Sequence, residues 1–235
     1  MTEGGETGIG PKDPVSPDYG RAGRNLPVAI GVGVVLGGTF LVTLFWLQWA
    51  FALMVGAALA VGAVEVSHAL RRVGMNAATV PIVIGTVAIV TGSYFAGLRD
   101  VTASIPSNTL MLATLGATVL AALVWRMRGG AEGYVKDAAA SLFIIGYLPL
   151  LGAFAGLMLA GESGGQRVLA FVAVVAASDT GGYAAGILFG THQMAPRISP
   201  KKTWEGFAGS LLSGVVVATA LSVFLLDVSF WVGLI

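Results

Sequence analysis

The chain alternates between long uncharged stretches and short clusters of charge. No Asp, Glu, Lys or Arg falls between Leu26 and Val64, a run of 39 positions. An α-helix rises about 1.5 Å per residue and crosses the hydrocarbon core of a bilayer in about 20 residues. The run therefore predicts two spans. The break is placed at Trp46-Leu47-Gln48-Trp49, where indole rings suit the membrane interface. Further uncharged runs cover 73–98, 101–125, 138–161 and 206–226, and 168–190 is interrupted only by Asp179. The pattern predicts seven helices, approximately 26–47, 49–66, 79–98, 108–125, 138–160, 167–190 and 206–226. Residues 228–235 read as the start of an eighth. Residues 1–25 are polar and rich in Gly and Pro, and read as a disordered cytoplasmic tail. They do not form a secretory signal, because the apolar stretch begins only at Leu26 and runs too long for an h-region. The fold class is all-α: a polytopic integral membrane helical bundle, with residues 26–235 as its one transmembrane domain.

Composition agrees with this layout. Only 11% of the 235 residues are charged, against roughly 25% in a typical soluble domain. That excludes an ordinary soluble enzyme, a disordered chain, and a nucleic-acid binder with a broad basic face. With no Cys, disulfides and thiolate chemistry are excluded. The distribution of Lys and Arg supplies an orientation. With a cytoplasmic N-terminus, the inner segments hold Lys12, Arg21, Arg24, Arg71, Arg72, Arg126, Arg128, Lys136, Arg197, Lys201 and Lys202. The outer ones hold only Arg99 and Arg167. Eleven against two is the asymmetry expected of cytoplasmic loops, and a miscounted span would scramble it.

Ionisable groups inside the spans are few. Asp179 is the most informative, because a carboxylate at a helix centre costs about 2.5–3.5 kcal/mol to insert. It lies in Ser178-Asp179-Thr180-Gly181-Gly182-Tyr183, where the two glycines predict a bent or loosened helix beside a wet cavity. A buried ion pair with a neighbouring helix is the alternative. Gly33 with Gly37, and Gly182, Gly186 and Gly190, have the four-residue spacing that lets helices approach closely in lipid. The loop from Thr191 to Gly206 carries Ser199, Lys201, Lys202, Thr203 and Glu205. Its basic residues could serve only as a stop-transfer anchor. Yet lysines, hydroxyls and a helix N-terminus near Gly206 together make a phosphate site, and Asp179 would supply an oxygen ligand for Mg²⁺. Glu65, near His68, Arg71 and Arg72, reads as a local ion pair or an interfacial carboxylate. His68 and His192 are isolated, so no zinc site is expected. Trp204 reads as an interface anchor, and Lys136 with Asp137 as a solvated loop pair.

The string Asp179-Thr-Gly-Gly-Tyr-x-x-Gly186, followed by Phe189-Gly190 and Ser199-Pro-Lys-Lys-Thr-Trp-Glu-Gly206, resembles the core of the bacterial phosphatidate cytidylyltransferase (CDP-diacylglycerol synthase) family. The similar stretch runs from about Ala138 to Gly214. The resemblance implies transfer of a cytidylyl group from CTP to phosphatidate at the cytoplasmic face of the cell inner (plasma) membrane, with Mg²⁺ as cofactor. It implies Asp179, Lys201 and Lys202 as catalytic residues and Asp179 as the metal ligand. Ser199, Lys201, Lys202, Thr203 and Glu205 would contact substrate. The implied partners are CTP, phosphatidate and membrane lipid, and a homodimer is compatible with the family. No nucleic-acid partner is implied. The family's further signature, S-x-x-K-R … K-D-x-G … P-G-H-G-G-x-x-D-R-x-D, has no counterpart here, so the chain is expected to be C-terminally truncated relative to the family. Two other classes compete. An intramembrane acid in a Gly-broken helix also suits an ion-coupled transporter, and a chain without that signature suits a non-catalytic remnant that binds lipid or a partner.

Overall fold

The computed structural model describes residues 26–99 and 106–234, so the predicted tail lies outside the described residues. The elements are α1 (Leu26–Trp46), α2 (Gln48–Arg72), α3 (Thr79–Arg99), α4 (Ser107–Met127), α5 (Tyr134–Tyr147), α6 (Pro149–Ala160), α7 (Gly164–Phe189), β1 (Gln193–Ala195), β2 (Ser199–Thr203), α8 (Trp204–Phe224) and α9 (Phe230–Leu234). Seven segments are long and apolar enough to cross a membrane, with α5 and α6 counting as one. The chain is a multi-pass, all-α membrane protein, and each of the seven predicted spans is present. The chain falls into two compact units, one ending at Val42 and one beginning at Thr43. The described part of the first is most of α1.

In the second unit α2–α6 pack as a bundle. Ala63, Ala78, Ile82, Ala122, Ile144 and Ile145 form one buried cluster, and Ile89, Met111 and Ala153 a second. The fifth predicted span is two helices. Pro149 has no N–H to donate into the preceding turn, so α5 stops at Tyr147 and α6 starts with Pro149. The redirected α6 lies on α3, where Gly152 and Gly156 let it approach the Val90 and Tyr94 turns. Pro149 was the available signal, and hydropathy alone runs over it.

One end of the bundle is closed by a polar knot, which corrects the reading of Asp137 as solvated. Asp137 is only 4% exposed. Its carboxylate accepts from Arg126 Nε at 2.6 Å and from the backbone N–H of Asn76 at 2.5 Å. Arg126 also donates to the carbonyls of Gly130 and Glu132. The Ser141 hydroxyl accepts the N–H of Ala78 at 2.9 Å and donates to the Asp137 carbonyl. Lys136 reaches Val73 instead of Asp137. The α2–α3 turn and the α4–α5 connection therefore meet at one end, as an alternating span layout requires. The Glu65 ion pair is not formed: Glu65 is exposed on α2, which runs on to Arg72, and has no ion pair among the described residues.

The rest of the second unit is a limb made of α7, the β1–β2 hairpin, α8 and α9. The hairpin was not anticipated from hydropathy. Its strands pair antiparallel, with Gln193 opposite Thr203. Helix α7 is unbroken through Gly181 and Gly182, which corrects the expectation of a loosened helix. These glycines serve packing. A Cβ at Gly181 would overlap the Ser213 hydroxyl and the Gly209 carbonyl, and one at Gly209 would overlap Ala185 and the Gly181 carbonyl. Gly186 and Gly190 likewise face Thr203 and Gly206. After α8, Asp227 takes φ +52°, and the chain turns back so that Gly233 of α9 lies against Thr219.

Candidate functional site

The limb holds a cavity of about 840 Å³ where the hairpin meets α7 and α8. Its lining brings together Asp179 from α7, Ser199, Lys201, Lys202 and Thr203 from β2, and Ser178 and Ser210 from the two helices. Five of the six site residues expected from sequence thus share one space, although 20 positions separate Asp179 from Ser199.

The local structure explains the meeting. Helix α7 ends at Phe189, with Gly190 extended at φ −65°, ψ 105°. Three residues of β1 then pair with β2, which leads straight into α8. The hairpin thereby folds Lys201 and Lys202 back over the α7–α8 groove. Glycines line the same groove, and Asp179 shares its cavity with a loop that is distant in sequence.

Asp179 is exposed and has no ion pair or hydrogen bond among the described residues, so the buried-ion-pair alternative is not what the structure holds. Both lysines are exposed and unpaired as well. One wall of the cavity therefore carries unneutralised positive charge, and the other a free carboxylate. The remaining lining is largely apolar, with Tyr183, Ile187, Met194, Ile198 and Phe207 all exposed. Trp204, 54% exposed, stacks edge-on with Phe207 at 6.0 Å between ring centroids, in keeping with an interface anchor.

Glu205 stands apart from the other expected site residues. It does not line the cavity. Its Oε1 accepts from the Thr191 hydroxyl at 2.8 Å and lies 2.6 Å from His192 Nδ1, and the backbone N–H of His192 points at both carboxylate oxygens. Glu205 ties the start of the hairpin to the first turn of α8. The N-terminus of α8 is also less open to an anion than the sequence implied. The Trp204 N–H goes to the His192 carbonyl and the Gly206 N–H to the Thr203 hydroxyl. Thr203 is thus the N-cap, and Glu205 is the negative charge that the helix end favours. Along the sequence His192 reads as an isolated histidine. Its partner lies 13 positions away, and no local spacing shows it.

Asp179 fits a hydrated Mg²⁺, an ion held through one or two carboxylates plus substrate phosphates while keeping several waters. It does not make an all-protein cage: among the described residues no group of three or more acidic or histidine side chains could hold a metal.

The family model described as the cytidylyltransferase family matches residues 27–235. The chain is 36% identical over 230 residues to the phosphatidate cytidylyltransferase of Mycobacterium leprae, covering 91% of this chain and 70% of that protein. It is 33% identical over 237 residues to the phosphatidate cytidylyltransferase of Mycobacterium bovis, covering 95% and 74%. The phosphatidate cytidylyltransferase of Pseudomonas aeruginosa is 30% identical over 191 residues, 79% of this chain and 62% of that protein. No solved structure matches the chain.

Proposed function

This chain belongs to the cytidylyltransferase family, and on that premise we propose that it transfers a cytidylyl group from CTP to phosphatidate, releasing pyrophosphate and CDP-diacylglycerol. The observation that carries this reading is the free carboxylate of Asp179 facing the same cavity as the free ammonium groups of Lys201 and Lys202.

A phosphate oxygen of phosphatidate attacks the α-phosphorus of CTP. The bond from that phosphorus to the β-bridging oxygen breaks, and pyrophosphate leaves with the electron pair. The nucleophile is already an anion, so no strong general base is needed. The barrier comes from bringing two polyanions together, which calls for cations and fixed geometry. Lys201 and Lys202 neutralise the triphosphate. Thr203 and Ser199 line the same strand, and each has a hydroxyl proton to donate to a phosphate oxygen. Glu205 does not touch substrate in this mechanism; it fixes the hairpin that carries the lysines. Asp179 would hold Mg²⁺, which when bound supplies charge neutralisation at the reacting phosphates.

The acceptor is a lipid and the donor is water-soluble, so the site must open to both phases. The apolar flank of Tyr183, Ile187 and Phe207 suits acyl chains, and the hairpin side suits the nucleotide. The Lys and Arg asymmetry supports a cytoplasmic N-terminus, which also puts the hairpin in the cytoplasm where CTP is found.

The test follows label from α-labelled CTP into the lipid phase, using the purified chain with phosphatidate and Mg²⁺. Transfer should require phosphatidate. Asp179→Asn should reduce it at least about 100-fold, the scale at which removal of a preorganised electrostatic group acts, with the thermal midpoint unchanged. Near wild-type transfer by that variant would remove Asp179 from the site.

A further inference from the structure

Among the described residues, many hydroxyl groups on the spans are satisfied within their own helix. Ser67, Thr86, Thr91, Thr118, Ser141 and Thr180 each donate to the carbonyl four residues back, the usual way to satisfy a hydroxyl in a helix. The single proton of Ser213 is within reach of the Gly209 carbonyl on its own helix at 2.8 Å and of the Ala177 carbonyl across the groove at 2.9 Å, so it can bridge α8 to α7. Ser178 and Ser210 do neither. Among the described residues the one hydrogen bond of each is with the other, at 2.6 Å across the α7–α8 groove. Both line the cavity, and Ser178 precedes Asp179.

Two hydroxyls hold two protons and four lone pairs, and their mutual bond uses one of each. One proton and three lone pairs remain, and the Asp179 carboxylate, which lines the same cavity, has lone pairs only. The α7–α8 wall is therefore rich in acceptors, while the lysine-bearing strand β2 is rich in donors. The donor side suits phosphate. The acceptor side, with a single carboxylate, suits a hard cation that keeps its water.

Resting on the reading of Asp179 as the cation-binding carboxylate, we propose that the Ser178–Ser210 hydroxyl pair anchors the water shell of that cation. The pair acts as positioning groups, and the glycine-lined groove exists in part to present it. A Cβ at Gly182 would stand 3.1 Å from Ser210 Cβ, and one at Gly214 3.7 Å from Ser178 Cβ. Glycine at 182 leaves Ser210 its room, whereas a Cβ at 214 would make only ordinary contact with Ser178.

The experiment reads cation binding directly. Mn²⁺, a spectroscopic stand-in for Mg²⁺, is titrated by electron paramagnetic resonance into the full purified chain with CTP present and phosphatidate absent. Ser178→Ala/Ser210→Ala should raise the Mn²⁺ Kd about 10-fold or more, the loss typical when groups behind a metal's direct ligands are removed. Asp179→Asn should raise it further. Ser213→Ala should lower the thermal midpoint and leave the Kd unchanged. If the double variant does not yield monodisperse protein, each single variant is read in the same way. Wild-type Mn²⁺ affinity in the serine variants alongside weakened binding in Asp179→Asn would overturn the serine assignment and leave the Asp179 reading standing. Wild-type affinity in Asp179→Asn as well would overturn both.

Discussion

Asp137 and Asp179 are each an aspartate on a membrane-spanning helix, and the two regions of the second unit treat them in opposite ways. In the α2–α6 bundle, Asp137 is buried, ion-paired to Arg126 and bonded to the backbone of the α2–α3 turn. In the α7–α8 limb, Asp179 is exposed and lines a cavity shared with two lysines, and none of the three has an ion pair among the described residues. The regions differ in burial as well. Over an 18-residue apolar stretch of each span, a third or more of the positions are buried in α2, α3 and the α5–α6 span and 17% in α4, against 6% in α7 and in α8. A buried charge with every partner supplied holds the ends of helices in place. An exposed charge without a partner keeps its binding capacity for something else. The contrast places structural charge in the bundle and leaves the proposed chemistry to the limb.

Removing Asp137 should break the contrast most forcefully. Asp137→Ala leaves the Arg126 guanidinium, whose side chain is 13% exposed, without its counter-ion, and removing one partner of a fully buried pair costs about 3–5 kcal/mol, the upper bound here. The thermal midpoint in detergent should fall steeply, whereas Asp179→Asn should leave it in place. Equal midpoints for the two variants would refute the division. Next in size is Lys201→Ala/Lys202→Ala. Each lost charge-assisted hydrogen bond is worth about 1.5–3 kcal/mol, so kcat/KM for CTP should drop at least about 10-fold per lysine while the fold stays intact. Steady-state kinetics against CTP, with phosphatidate saturating, reads this. Gly181→Val then probes the limb's own packing. The new side chain meets Ser213 and the Gly209 carbonyl, and overpacking costs about 1–3 kcal/mol. Because the groove shapes the cavity, transfer activity should fall with it. A variant that stays fully active would separate the groove from the site. The smallest effect is expected at Ser93, a buried hydroxyl on α3 that has no hydrogen-bond partner among the described residues. Ser93→Ala relieves an unmade hydrogen bond and should be neutral or stabilising by up to about 1 kcal/mol, a midpoint shift that thermal unfolding would detect. A clear loss of stability there would reveal a partner for Ser93.

Much of the site was legible because it is short-range. Lys201, Lys202, Thr203 and Ser199 occupy five consecutive residues, and an acid inside a span stands out against its apolar neighbours. Glu205 belongs to the same string, and its place in that string hid its different role. Its partners, Thr191 and His192, lie on the far side of the hairpin. Ser178 and Ser210 were invisible for a related reason: serine is common in spans, and only the pairing across the groove separates these two from hydroxyls that serve packing.

The number of spans, the break between the first two and the clustering of basic residues all follow from the chain read in one dimension. The hydrocarbon core demands about 20 apolar residues per crossing whatever the neighbours are. Three other features required three dimensions. The seating of α6 after Pro149 depended on its own Gly152 and Gly156 meeting the Val90 and Tyr94 turns of α3. The burial of Asp137 depended on Arg126, Asn76 and Ser141 converging from three elements. The turning of Glu205 away from the cavity depended on β1 pairing with β2. In each case a polar or backbone group takes its role from a partner brought to it by folding, and hydropathy, which treats each residue alone, carries no information about that partner.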